Sequence, residues 1–143
     1  MLTMTKAKLL LSFTAAGLFV AGYWTGHAHA AGTPQVYELR TYTCNPGKLD
    51  ALKARFRDHT TKIFEKHGIK NVGYWTFEDE PLKSDTLIYL IAHESREAAK
   101  KNWADFGSDP EWRKVQAESE ANGKIVSKVD SKFLDPTDFS PMQ

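Results

Sequence analysis

Glu38, Arg40 and Tyr42 stand at alternate positions of Val36-Tyr-Glu-Leu-Arg-Thr-Tyr-Thr43. That segment is rich in β-branched and aromatic residues, so it reads as a strand, and the two-residue spacing puts all three side chains on one face. A carboxylate and a guanidinium kept from water must pair or bind something charged. Arg40 could hold a carboxylate or oxyanion, with Glu38 orienting it or acting as a base. The competing reading is a structural ion pair, within one subunit or across two. His59 is the third catalytic candidate. It shares a helical stripe with Leu49, Leu52, Phe56 and Ile63, where a histidine is either a general base or ligand, or a rim residue with one satisfied nitrogen.

The other histidines add less. His67 precedes Gly68 at a helix end, and His93 closes a strand as a surface or cavity-mouth residue. Their spacing is not that of a metal site, and no cofactor is expected. Trp75, Tyr89, Trp103 and Trp112, with Arg40 and Tyr42, could wall a pocket for a small apolar or anionic ligand. The same aromatics at strand and helix spacing also suit a core or a subunit contact. Arg55 and Arg57, like Lys100 and Lys101, read as solvated helix faces. There is no phosphate-cradling glycine loop, no nucleophile elbow, no His-Glu-x-x-His and no nucleic-acid motif.

Among the 143 residues, 19 lysines and arginines face 18 aspartates and glutamates, a balance that argues against a nucleic-acid or polybasic membrane-surface partner. The single Cys44 excludes an intrachain disulfide and reads as a small, partly buried hydrophobe, with an intermolecular thiol as the alternative. The chain opens with Lys6 and Lys8, continues through an apolar stretch from Leu9 to about Trp24, and reaches Ala28-x-Ala30. This three-part pattern is that of a secretory signal peptide, residues 1–30, with an uncleaved anchor as the alternative. The expectation is a periplasmic or secreted domain of residues 31–143, with no membrane contact after cleavage.

The elements that must position these residues follow in order. After the first strand, Asn45-Pro46-Gly47 makes a turn. Apolar spacing predicts a helix from Lys48 to about Lys66, and strands over Ile69–Phe77 and Thr86–Ala92. Ser95 caps a helix to about Phe106. Asp109-Pro110-Glu111 starts another that ends near Asn122-Gly123, and Ile125–Leu134 is the fourth strand. The order predicts an α+β, ferredoxin-like split βαβ domain with a four-stranded antiparallel sheet. Leu87 to Ala92 is apolar on both faces, so a second copy is expected on the open face, giving a dimeric α+β barrel. Tyr37 and Leu39 are expected toward the helices, leaving Glu38, Arg40 and Tyr42 to line the cavity between the two sheets.

Tyr37-Glu-Leu-Arg-Thr-Tyr42 with Pro46-Gly47, then His67-Gly68, Gly73-Tyr-Trp75 and Asp109-Pro-Glu-Trp112, resemble the NIPSNAP family in order and spacing. The resemblance covers about Val36 to Leu134. It implies the ferredoxin-like fold and a homodimer, in a wider barrel group that also holds cofactor-free monooxygenases and haem proteins, and it implies no particular reaction. The leading functional expectation is an exported protein that binds a small apolar or anionic ligand in its cavity, whether or not it acts as a cofactor-independent enzyme. The alternative is a non-catalytic scaffold that uses its sheet face to oligomerise.

Overall fold

The computed structural model describes residues 35–142. The leader read at residues 1–30 lies outside them. Strand β1 is Val36–Cys44, β2 is Lys70–Thr76, β3 is Thr86–His93 and β4 is Val126–Leu134. They form one antiparallel sheet in the order β2-β3-β1-β4. The helical segments are α1 (Leu49–Arg55), a π-helical turn (Phe56–Thr60), α2 (Thr61–Lys66), α3 (Arg96–Ser108) and α4 (Pro110–Ser119). This is the expected ferredoxin-like α+β fold, with β1 and β3 central.

Local chemistry sets the element ends. Gly68 has φ 72°, the left-handed conformation that lets the chain leave α2 and enter β2. Ser95 caps α3 by accepting from Ala98 N–H at 3.0 Å. Asp109 caps α4, accepting from Glu111 N–H at 2.7 Å, and Pro110 takes the first helical position, where no N–H is needed.

The helices among the described residues lie on one side of the sheet. The core there joins Leu52, Phe56, Ile63 and Phe64 to Leu87, Tyr89 and Ile91 of β3, with Phe106 of α3 and Val115 of α4. Register decides which β1 residues join them. Glu38 faces Ile91, Arg40 faces Tyr89 and Tyr42 faces Leu87 across the β1–β3 ladder. Side chains directly opposite in a ladder share a face. Glu38, Arg40 and Tyr42 therefore point toward the helices, and Tyr37 and Leu39 point to the open side, the reverse of the expected assignment. The expectation placed charge away from the packed face. The helices, however, leave the β4 side of that face partly uncovered, with Val129 46% exposed. Charged side chains on β1 can thus sit at a seam between core and solvent.

A second correction concerns His59. In an unbroken helix it would share the inward stripe of Leu52, Phe56 and Ile63. The π-helical turn, in which Thr61 N–H reaches back to the Phe56 carbonyl, inserts one residue into the repeat. Thr60 is turned inward instead, fully buried, and its hydroxyl donates to the Arg55 carbonyl at 3.1 Å. His59 is exposed, which removes it as a cavity base.

Candidate functional site

The seam between β1–β4 and the helices holds two recesses. One, of about 380 Å³, is walled by Tyr42, Arg55, Phe56, Phe106, Trp112 and Val129. The other, of about 530 Å³, is lined by Arg96, Lys100, Trp103 and Phe133, with Glu38 at its inner side.

Glu38 is the hub of a buried polar cluster. Its Oε1 accepts from Arg40 Nη1 at 2.6 Å and from the Ser131 hydroxyl at 2.6 Å. Its Oε2 accepts from Trp103 Nε1 at 2.7 Å and from His93 Nε2 at 3.0 Å. Burial pushes its carboxyl pKa up, but the donors His93, Ser131, Trp103 and Arg40 outweigh this and hold it down at about 2. A carboxylate with four donors already on it is a poor general base. Asn102 fixes the histidine. Its Nδ2 donates to the Gly68 carbonyl at 3.0 Å and approaches His93 Nδ1 at 3.4 Å, which leaves the Nε2 proton for Glu38.

Arg40 is occupied at both terminal nitrogens, while its buried Nε has no partner. Besides Glu38 it donates from Nη2 to the Tyr42 hydroxyl at 3.4 Å, and its guanidinium lies 4.2 Å from the centre of the Trp103 ring. Burial works against its charge, while the neighbouring Tyr42, Tyr89 and Glu38 oppose that loss and raise its pKa. The ion-pair reading of Glu38 and Arg40 is the one this geometry favours, and the pair lies within one subunit.

Arg55 differs from the solvated residue expected. It is 5% exposed, because it lies between Leu52 and Phe56 on the inward stripe. Its Nη1 donates to Glu120 Oε1 at 3.1 Å and to the Ser119 hydroxyl at 3.3 Å. Its guanidinium lies 5.3 Å from the centre of the Trp112 ring. The buried Cys44 is nearby in the core. Burial and then Asp85 push its thiol up to about 11, so it is no nucleophile at neutral pH.

The proposed ligand residues separate into four places. Tyr42 and Trp112 line the smaller cavity. Trp103 and Arg40 belong to the Glu38 cluster, and Tyr89 is wholly buried behind Tyr42 and Phe56, with ring centres 5.2 and 5.1 Å away. Trp75 is on the open sheet face, 53% exposed, and cannot join them. Its indole lies across Gly73, where a Cβ would collide with it. Among the residues passed over, His93 is 2% exposed and not on the surface. The alternation Leu87, Tyr89, Ile91, His93 could have shown this. For Arg55 the signal was its spacing from Leu52. For Ser131 no local signal existed, since only the pairing of β4 with Arg40 brings it to Glu38. His67 behaves as the helix-end residue expected, with Nε2 2.6 Å from Asp109 Oδ2.

No curated protein matches this chain. Solved structures do. A NIPSNAP family protein of unknown function from Agrobacterium tumefaciens is 23% identical over 78% of this chain and 96% of its own, with a TM-score of 0.66. An uncharacterised NIPSNAP-like domain protein from Burkholderia xenovorans is 21% identical over 76% and 90%, with a TM-score of 0.65. At these identities they establish the shared fold. The family model described as NIPSNAP matches residues 37–141, from the start of β1 through the tail beyond β4. The strand that carries Glu38, Arg40 and Tyr42, the helices that close the seam and the β4 partner of Glu38 all fall inside that match, and the chain belongs to the NIPSNAP family.

Proposed function

We propose that this protein binds a small molecule with a largely apolar body in the 380 Å³ cavity at the sheet–helix seam. The observation that carries this reading is the wall itself. Tyr42, Phe56, Phe106 and Trp112 leave a space of ligand size beside a buried arginine, where a core would be filled. The saturated Glu38 cluster beside it supports a binding role over proton transfer. Isothermal titration with two-ring aromatic probes, 1-naphthoate and 1-naphthamide, tests the reading. At least one should bind at one site per chain, and Val129→Trp, which places an indole at the cavity mouth, should abolish it. Failure of both probes to bind would count against the proposal.

The open face supports a second element of the reading, a homodimer in an exported compartment. Trp75, Val72 and Leu134 are 53%, 36% and 40% exposed there, an apolar patch next to the Ile88 and Leu90 face of β3. The Lys6/Lys8, apolar and Ala28-x-Ala30 pattern supports export, periplasmic or secreted. Native protein from the cell envelope should start near Ala31 by intact mass and scatter light as a dimer that Trp75→Asp weakens. A full-length monomer would contradict both points.

A further inference from the structure

The two arginines share a buried, unpartnered Nε but differ at their terminal nitrogens. In Arg40 both are engaged, Nη1 by Glu38 and Nη2 by Tyr42. In Arg55 only Nη1 is engaged, by Glu120 and Ser119. Its Nε is buried and unpartnered, and the hydrogen bonds of the guanidinium among the described residues both come from Nη1, leaving Nη2 without one. Nε and Nη2 lie on the same edge of a planar guanidinium, with parallel N–H bonds. That edge matches the two oxygens of a carboxylate. It belongs to a side chain that lines the aromatic cavity, beside Trp112.

From this free edge we infer that the cavity takes a carboxylate, an apolar-bodied monocarboxylic acid whose two oxygens dock on Arg55 Nε and Nη2. The inference rests on the binding reading above and narrows it to a ligand class. Burying a donor pair without a partner is costly, so a ligand that supplies two acceptors gains more than a hydrocarbon of the same shape. Glu120 sets the selectivity. Its carboxylate already neutralises the other side of the guanidinium and also accepts from Ile125 N–H at 3.3 Å. A second carboxylate must therefore bind beside a fixed negative charge. Thr60, turned inward by the π-helical turn, ties its own turn to Arg55 by bonding the Arg55 carbonyl. Without that inserted residue the helix would carry His59 inward at this level.

The test compares 1-naphthoate with its neutral counterpart 1-naphthamide on wild type, Arg55→Lys and Glu120→Gln. Wild type should bind the carboxylate at least about tenfold tighter than the amide, the range expected of a charge-assisted bidentate contact. Arg55→Lys keeps the charge but loses the paired edge and should erase most of that preference. Near-ultraviolet circular dichroism verifies that it is folded. Glu120→Gln lies at a partly exposed side chain, so it should fold even if Arg55→Lys does not. It should raise naphthoate affinity about three- to tenfold and leave the amide unchanged. Equal binding of the two probes to wild type overturns the carboxylate inference and leaves the binding reading intact. An unchanged or weaker naphthoate affinity in Glu120→Gln also overturns it, as does a preference that survives in folded Arg55→Lys. Binding of neither probe removes both readings together.

Discussion

Arg40 and Arg55 are each paired with a glutamate and largely shielded from water, with side chains 15% and 4% exposed, yet their surroundings differ. Glu38 is 1% exposed at its side chain and takes four donors from β1, β3, α3 and β4. Glu120 is 23% exposed, lies just past α4, and leaves one edge of its arginine without a protein partner. A buried ion pair is stabilising only when its remaining lone pairs and protons are also satisfied. The first pair meets that condition at the carboxylate and at both terminal nitrogens, with only Arg40 Nε left over, and it joins the sheet to α3. The second falls further short, with both Nε and Nη2 of Arg55 lacking a protein partner in a side chain that lines a cavity. Burial of a charged pair is thus no guide to its role; the count of donors left over is.

The largest expected effect tests the Glu38–Arg40 pair. Glu38→Ala leaves Arg40, His93 and Trp103 without their common acceptor and should cost about 3–5 kcal/mol in denaturant unfolding. The double change Glu38→Gln with Arg40→Leu should recover much of this, because both charges are then gone. A small loss in the single variant would place Arg40, not Arg55, as the arginine with spare capacity. Acid titration sharpens the same contrast. The Glu38 carboxyl is held at about 2 against an ordinary 4.5. The native state therefore binds fewer protons there than the unfolded chain. Its contribution to stability is complete above pH 4.5 and is lost as the pH falls toward 2. Stability measured from pH 6 to pH 2 should fall less steeply in Glu38→Gln than in wild type; parallel curves would show that other carboxylates carry the acid response. The smallest effect belongs to the Arg55–Glu120 pair, whose glutamate is partly exposed. Glu120→Gln should cost at most about 1 kcal/mol, since one partner is already in contact with water. A loss as large as that of Glu38→Ala would make the two pairs equivalent and close the comparison.

Much of the fold was legible in the chain. Alternation and β-branching marked four strands, and the Ser95 and Asp109-Pro110 starts and the Gly68 stop marked helix ends, because these signals act within a few residues. Trp103 and Glu38 could be singled out, but not as partners, since 65 positions separate them. Cys44 behaved as the buried hydrophobe its isolation suggested. Arg55 lies before the π-helical turn and was legible from its spacing to Leu52, whereas His59 was not. A helical stripe read at a constant 3.6 residues per turn cannot register a π-helical insertion, which tertiary packing of Phe56, Phe64 and Thr60 selects.

What the sequence alone determined was the set of elements, their order, and the fact that Glu38, Arg40 and Tyr42 share a face. A period of two gives the partition of a strand into two faces but carries no label for which face meets the helices. Tertiary structure made that choice. It placed Leu87, Tyr89 and Ile91 under the helices and, through the β1–β3 register, carried Glu38, Arg40 and Tyr42 to the same side. It also decided which arginine is satisfied, since donors and acceptors from β4, α3 and the end of α4 meet only in the folded chain.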